Sequence, residues 1–262
     1  MNLYCVEEDF FVVSAAMLSL LPYLGKEVTN MRSGIQLTRM DMKMLTVLAG
    51  LLVVAGTCRA EVVVGVPGIA NPWLAGMPDG TDDGWGDIAP VYSPVLVSDL
   101  NLGTGVLHIQ GVAGAVNNVP WAPGFPADGN PDDVQSHLTS NYGKSNITCP
   151  INALLGVFLT EATPVGPGPA ALDFSTVASR DYLELAPLLS QVFFIGDGRT
   201  SQGQQQTIHV PAGAARFYLG VMDSWQHSSN WGSFEVTVPE PATLSLLAIG
   251  LGALAIRRRK RA

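Results

Sequence analysis

The sequence is poor in charge, in cysteine and in long helical patterns. Only 14% of its 262 residues are charged. Between residues 61 and 238 there are sixteen acidic residues and four basic ones, so this stretch has a net charge near −12. So few cations cannot neutralise a phosphate backbone, and we expect no nucleic-acid partner. Outside the two ends of the chain, no stretch keeps a helical period beyond about two turns, which argues against a helical fold.

Cysteines and enzyme motifs are also scarce. Cys5 and Cys58 lie in the first sixty residues, which leaves Cys149 without an internal disulfide partner in the rest of the chain. We expect Cys149 to be buried and inert, the alternative being an intermolecular disulfide. The sequence has no G-x-S-x-G, H-E-x-x-H or Walker motif, and its four histidines lack metal-ligand spacing. We therefore predict a protein that is not an enzyme.

The first sixty residues contain a predicted secretory signal. Lys43 precedes the apolar run LTVLAGLLVVAG, and the small residues Cys58 and Ala60 follow it at the positions expected for cleavage after Ala60. A lipoprotein signal that uses Cys58 is the alternative. Because a signal peptide should open a protein, we assign it to residues 40–60 and interpret residues 1–39 as a start-site over-extension.

The C-terminal end combines three features in a fixed order. A Pro-Glu-Pro triplet is followed by an apolar run at 242–256 and then by five consecutive cationic residues. A membrane anchor with a cytoplasmic basic end has this general form. The order of the three features closely resembles the PEP-CTERM sorting signal of Gram-negative bacteria, which we assign to residues 239–262. The predicted sorting-signal residues are Pro239, Glu240, Pro241, Arg257, Arg258 and Arg259.

The resemblance to PEP-CTERM proteins implies an export route. In that family an exosortase recognises the tail and removes it as the protein passes to the cell surface. The resemblance therefore implies an exosortase as partner, membrane attachment through the C-terminal hydrophobic helix, and export through the inner membrane. The implied destination is the cell surface, the outer membrane or the extracellular matrix of a Gram-negative bacterium.

The segment 61–98 is rich in Gly, Pro, Asp and Trp and reads as loops, with at most a short strand at 62–66. Its run DGTDDGWGD, from Asp79 to Asp87, suggests a calcium-binding loop. Because the run lacks the EF-hand spacing and its final Glu, we favour a solvated acidic loop.

From residue 99 onward, short strand-like runs alternate with turns. They predict an all-β fold, a β-sandwich of jelly-roll or galactose-binding-like type over residues 99–238. A single helical turn is predicted at 182–189. The predicted strands lie at 106–116, 153–159, 191–196, 206–212, 215–223 and 232–238.

Two polar loops, at 126–133 and 223–230, are the candidate binding sites. They contain the Asp and Asn oxygens that calcium accepts as ligands. A sugar site needs a few such polar groups beside an aromatic face. Solvated hairpin loops have the same composition, and on residue type alone that alternative stays open. The residue types that a sugar site needs are present in His137, Gln226, His227, Trp121, Trp225 and Trp231.

Residues 106–238 resemble the PA-IL-like galactophilic lectins and their galactose-binding-like relatives. The runs that carry the resemblance are VLHIQGVAGAV, PADGN, CPINALLGVFL, VFFIGDG and VPAGAARFYLGVMDSWQHSSNWGSFEVTV. In that family a β-sandwich presents a calcium ion that coordinates two sugar hydroxyls. The resemblance implies that Asp223 binds metal and sugar and that Asn230 is the second of two paired Asn ligands. Ser229 replaces the first Asn, and Asp128 is the ligand expected from the earlier loop.

The sequence therefore predicts an exported, non-catalytic protein of the surface or matrix that binds carbohydrate through calcium. The alternative is a structural exopolysaccharide or biofilm matrix protein with a degenerate binding site. A secreted hydrolase is the third and least supported class, because no nucleophile–base pair is visible. The predicted ligand-binding residues are Asp223, Trp225, Gln226, His227 and His137.

Overall fold

A computed structural model describes residues 61–98, 100–139 and 141–239, which belong to one compact unit, Glu61–Pro241. The predicted over-extension, the signal peptide and the sorting signal beyond Pro239 lie outside the described residues, as does the hydrophobic helix at 242–256. Within the described part of the chain, no helix is long and apolar enough to cross a membrane.

The described residues form thirteen strands and one short helix. The strands are β1 (Glu61–Pro67), β2 (Val95–Leu96), β3 (Val106–Leu107), β4 (Gly111–Asn117), β5 (Asn130–Ser136), β6 (Ile147–Ile151), β7 (Leu154–Leu159), β8 (Leu172–Asp173), β9 (Glu184–Leu185), β10 (Val192–Phe194), β11 (Thr207–His209), β12 (Arg216–Val221) and β13 (Trp231–Pro239). The helix α1 is Val177–Arg180, and 3-10 turns lie at Pro72–Leu74, Leu102–Thr104 and His227–Ser229. The all-β class is confirmed, while the jelly-roll type stays a prediction.

The strands are arranged in four small sheets, with the orders β1-β13-β4, β10-β7-β12-β2, β3-β11-β9 and β5-β6-β8. Two of them include strands from the predicted loop-rich segment. β1 pairs antiparallel with β13 along its whole length, and β2 pairs antiparallel with β12. Segment 61–98 and region 99–238 therefore share sheets, and the short strand expected at 62–66 is confirmed.

The burial of two strands follows directly from their sequences. In β13, Phe234, Val236 and Val238 are buried, whereas Ser233 before them and Glu235 between the first two are exposed. This alternation places one face of the strand on the core and the other in solvent. β7 reads LLGVFL without alternation, and all six of its residues are buried, as expected of an interior strand, which here pairs with β10 and β12.

The strand predictions at 153–159, 191–196, 206–212, 215–223 and 232–238 are confirmed by β7, β10, β11, β12 and β13. Residues 106–116 form two strands, β3 and β4, instead of one. The helical turn predicted at 182–189 is wrong, because β9 forms there and pairs in parallel with β11. Pro187 explains the difference, since it disfavours helical conformation in the residue before it and has no amide to donate.

Cys149 lies on β6 and is fully buried, as expected. Burial raises the pKa of its thiol, which keeps the sulfur in the unreactive protonated form. The described unit is therefore held by packing and hydrogen bonds, without a disulfide among its residues.

An aromatic cluster fills the core around Gly156 of β7. The ring of Phe158 lies 5.5 Å from that of Phe193 and 4.8 Å from that of Phe217, measured between centroids. A Cβ added at Gly156 would lie 2.8 Å from Phe193 Cζ and 2.9 Å from Phe217 Cε2. Because Gly156 has no side chain, the two rings can pack against its backbone.

We expect Gly156→Ala to lower the free energy of unfolding by about 1–3 kcal/mol, because the new methyl group overpacks the aromatic cluster. Gly65→Ala is the matched control, since Gly65 also lies in a strand but has open space at its Cβ position. Denaturant unfolding of the two variants measures the difference. Equal stabilities would contradict the packing described here.

Candidate functional site

The loop that follows β12 lies against the acidic loop of the N-terminal segment. Gln226 Nε2 donates a hydrogen bond to the carbonyl oxygen of Trp85 at 3.0 Å. The backbone amides of His227 and Ser228 donate to the carboxylate of Asp87 at 2.7 and 3.1 Å. The 3-10 turn at His227–Ser229 thus directs its first amides at a carboxylate from a distant part of the chain.

His227 and Asp87 also contact each other through their side chains. His227 Nδ1 lies 3.3 Å from Asp87 Oδ2, and both side chains are fully buried. His227 Nε2 lies 3.0 Å from the carbonyl oxygen of Val221, which can only accept, so Nε2 carries a hydrogen. His227 Nδ1 contacts the carboxylate without meeting the geometry of a hydrogen bond, so the two side chains are in direct buried contact.

The pKa of Asp87 reflects two opposing effects. Burial raises it, whereas the imidazole of His227 and the backbone amides of His227 and Ser228 lower it. The lowering effects are together the larger, so the pKa of Asp87 lies below its ordinary value. The carboxylate is therefore ionised at neutral pH.

Asp83 is a second buried carboxylate in the same loop as Asp87. Its Oδ1 accepts from the amides of Trp85 and Asp87 at 2.8 and 3.2 Å, and its Oδ2 accepts from Asn71 Nδ2 at 3.2 Å. Burial raises the pKa of Asp83, and the neighbouring charge of Asp87 raises it further against the effect of the Trp85 amide. The expectation of a solvated acidic loop is thus wrong for Asp83 and Asp87, because both are buried and hydrogen-bonded.

His137 and Trp73 form a flat stack beneath this loop pair. Their ring centroids lie 3.4 Å apart with an interplanar angle of 2°. Trp73 Nε1 donates to the carbonyl oxygen of Ser145 at 3.0 Å, and His137 Nε2 lies 2.7 Å from Thr139 Oγ1. His137 Nδ1 lies 3.4 Å from the carbonyl oxygen of Asp223. The ring is buried and joins the 3-10 turn at Pro72–Leu74 to the loop after β12.

The four predicted metal ligands have different partners in the structure. Asp223 Oδ1 accepts from the Trp225 amide at 2.9 Å, and Ser229 Oγ donates to the carbonyl oxygen of Gln226 at 3.2 Å. Asn230 Nδ2 donates to the carbonyl oxygen of Gly68 at 3.1 Å, and its buried Oδ1 has no hydrogen-bond partner among the described residues.

Asp128, the fourth predicted metal ligand, belongs to another turn, where its Oδ1 accepts from the Asp197 amide at 3.2 Å. Within the described residues, no three His, Cys, Asp or Glu side chains gather in a metal-binding group. The fit to calcium is therefore partial, with Asn230 Oδ1 as its best feature, and calcium binding stays a prediction.

Of the five predicted ligand-binding residues, the structure exposes two. Asp223, His227 and His137 are buried, whereas Trp225 and Gln226 are exposed. Trp225 forms an edge-to-face pair with Trp85, with ring centroids 4.7 Å apart. Trp85 and Trp225 are 49% and 45% exposed. We call the surface of Trp85, Trp225 and Gln226 the aromatic face.

Trp85 was not among the predicted site residues. Its position in the run D-G-W-G-D could have indicated an exposed aromatic residue. A large apolar residue in such a polar loop has no strand or helix to bury it. The residue that it meets, Trp225, lies 140 positions further along the chain. That contact depends on the tertiary structure and has no local pattern in the sequence.

A second group of exposed apolar side chains lies at the start of β13. Trp231 Nε1 donates to the carbonyl oxygen of Val119 at 2.9 Å, and the side chain of Val119 is exposed. Trp121 is 94% exposed and has a positive φ of 68°, which is uncommon for a residue with a large side chain. We call Val119, Trp121 and Trp231 the second apolar group.

Lys144 is a fully buried cation without a carboxylate among its hydrogen-bond partners. Its Nζ donates to the carbonyl oxygens of Ala75 and Tyr142, each at 3.0 Å. Burial, together with the positive charge of Arg216, lowers the pKa of Lys144 to about 7. A cleft of about 700 Å³ lies nearby, lined by Asn141, Tyr142 and Gly143 and by the residues 163–168. None of the predicted site residues lines this cleft.

Comparison with known proteins adds one assignment. Residues 237–261 match the PEP-CTERM protein-sorting motif, so the predicted tail is confirmed as such a motif. Proteins with this motif are exosortase substrates, and the motif indicates export across the inner membrane in Gram-negative bacteria. Neither the curated proteins nor the solved structures that were searched include a match to the chain. The resemblance to galactophilic lectins stays a prediction.

We expect Asp87→Asn to lower the free energy of unfolding of the exported unit by about 3–5 kcal/mol, because it removes the buried charge that contacts His227 and accepts hydrogen bonds from two backbone amides. Asp79→Asn is the matched control: it makes the same change of charge in the same loop at an exposed residue. Denaturant unfolding measures both. A loss below about 1 kcal/mol for Asp87→Asn would contradict a structural role of the buried carboxylate.

Lys144 predicts a dependence of stability on pH. Its pKa is about 7 in the folded state and 10.5 in an unstructured peptide, so between these values the unfolded chain holds more protons. Stability must then rise with pH, by about 1 kcal/mol between pH 7.5 and 8.5. Above this window the buried Cys149 and Tyr182, whose pKa values are raised, act in the opposite direction.

Chemical unfolding at pH 7.5, 8.0 and 8.5 tests this dependence. Lys144→Met removes the titrating amine while keeping a long apolar side chain, so the rise should disappear in that variant. A rise that persists in Lys144→Met would show that another group is responsible.

Proposed function

We propose that the exported domain is a non-catalytic module that binds neutral polysaccharide through the aromatic face. The observation that carries this proposal is the pair of half-exposed tryptophans, Trp85 and Trp225, which are held edge to face on two loops. Large aromatic side chains are seldom left in solvent without a role, and a contiguous exposed group of them is typical of a binding surface.

The chemistry of the aromatic face suits a sugar. A pyranose ring presents an apolar patch of C–H groups that can pack on an indole, and hydroxyl groups around its rim that need polar partners. Gln226, Ser228 and Ser229 are exposed polar residues on the same loop as Trp225. The net charge near −12 between residues 61 and 238 would repel an anionic polymer, which favours a neutral one.

The aromatic face is supported from below by buried contacts. Gln226 bonds to the backbone of Trp85, and the residue after it, His227, is paired with Asp87. Both tryptophans are therefore fixed to the same polar cluster before any ligand arrives. A surface ordered in advance loses less conformational entropy on binding, which strengthens the interaction.

A structural matrix protein with a degenerate site is the second candidate. It is favoured by the second apolar group, in which the nearly fully exposed Trp121 offers a contact for another protein. It is also favoured by the hydrogen bonds that already engage Asp223 and Ser229. In this case the aromatic face would have no sugar ligand.

We expect Trp225→Ala and Trp85→Ala to weaken polysaccharide binding roughly tenfold or more, since truncation of a central aromatic anchor costs about 1–2 kcal/mol. Trp121→Ala is the matched control, because it removes an exposed tryptophan from the second apolar group and should leave binding unchanged. Affinity electrophoresis in gels that contain neutral polysaccharides measures all three variants.

Repeating the measurement with calcium and with a chelator tests the metal separately. Loss of binding in the chelator and in Asp223→Ala would support a calcium-dependent site. Binding that is indifferent to Trp225→Ala, or equally reduced by Trp121→Ala, would reject the aromatic face and favour the structural candidate.

A further inference from the structure

The sorting motif begins inside the folded domain. It matches residues 237–261, and β13 ends at Pro239, so Thr237, Val238 and Pro239 belong to both. The Pro-Glu-Pro triplet therefore begins at the last residue of the strand. An enzyme that reads this triplet has to approach residues that are part of a strand.

The two neighbours of β13 pair with different numbers of these shared residues. β4 pairs with β13 only as far as Thr237, which lies opposite Gly111. β1 continues for two further pairs, Val62 with Val238 and Glu61 with Pro239. The last two residues of β13 are thus paired by β1 alone, and Val238 is also buried in the core.

We propose that the first residues of β1 act as a clamp on the sorting motif and control the access of the exosortase to it. A protein that recognises an extended peptide needs the backbone groups of that peptide free. β1 lies at the edge of its sheet, so Glu61 and Val62 can detach while β13 stays paired with β4. Their detachment frees Val238 and Pro239.

The clamp determines both the place and the rate of processing. Tail removal adds water across one peptide bond, leaving a carboxylate on the domain and an amine on the tail. In the opened form β13 stays paired with β4 as far as Thr237, so this bond lies downstream of Thr237. Its cleavage rate follows the population of the opened form, as it does for any protease that acts on a locally opened segment.

The test follows tail removal from the full chain by pulse-chase in a bacterium with an active exosortase, with a second PEP-CTERM protein as the control for enzyme activity. A Gly-Ser-Gly-Ser insertion between Val238 and Pro239 moves the triplet away from the clamp. Replacement of Glu61 and Val62 by glycines weakens the clamp itself. The same insertion after Gly166, an exposed glycine with open space around it, is the control.

We expect the first two variants to lose the tail roughly tenfold faster than the wild type and the control, since opening two edge pairs requires only local unfolding. Mass spectrometry of the wild-type product should place its new C-terminus downstream of Thr237. Equal rates in all four proteins would overturn the clamp, as would a new C-terminus at or before Thr237. Retention of the tail in all four proteins while the second protein is processed would overturn it too. None of these outcomes depends on whether the domain binds polysaccharide.

Discussion

The buried pair of Asp87 and His227 is the interaction on which the arrangement of the candidate site depends. It joins two loops that are 140 positions apart in the chain, and it does so with both side chains removed from solvent. A buried charge without a partner is strongly destabilising, so each loop holds the other in place. The backbone amides of His227 and Ser228 also donate hydrogen bonds to the carboxylate of Asp87. The two tryptophans of the aromatic face lie on the two loops that these contacts join.

Several features of the fold could be predicted from the sequence because they are local. The alternation of Phe234, Val236 and Val238 marks a half-buried strand, and the unbroken apolar run of β7 marks a fully buried one. The sorting tail is also a linear pattern, so its residues could be recognised without a structure. The strand β5 was missed because NPDDVQS has the composition of a turn, and it forms at the edge of its sheet, where proline is tolerated.

The candidate site was harder to predict because its roles depend on distant contacts. His137 and His227 have the residue type of ligand-binding groups, yet one stacks on Trp73 and the other pairs with Asp87. Asp83 and Asp87 have the composition of a solvated loop, yet partners from other elements bury them. In each case the sequence indicates the chemistry that a side chain can supply but leaves the partner open.

The central claim is that Asp87 and His227 interact with each other and are not merely buried side by side. A double-mutant cycle measures this directly through the free energies of unfolding of Asp87→Asn, His227→Gln and the double variant. A direct interaction predicts that the two losses do not add, with a coupling free energy of at least about 1 kcal/mol. Losses that add to within about 0.3–0.5 kcal/mol would contradict it.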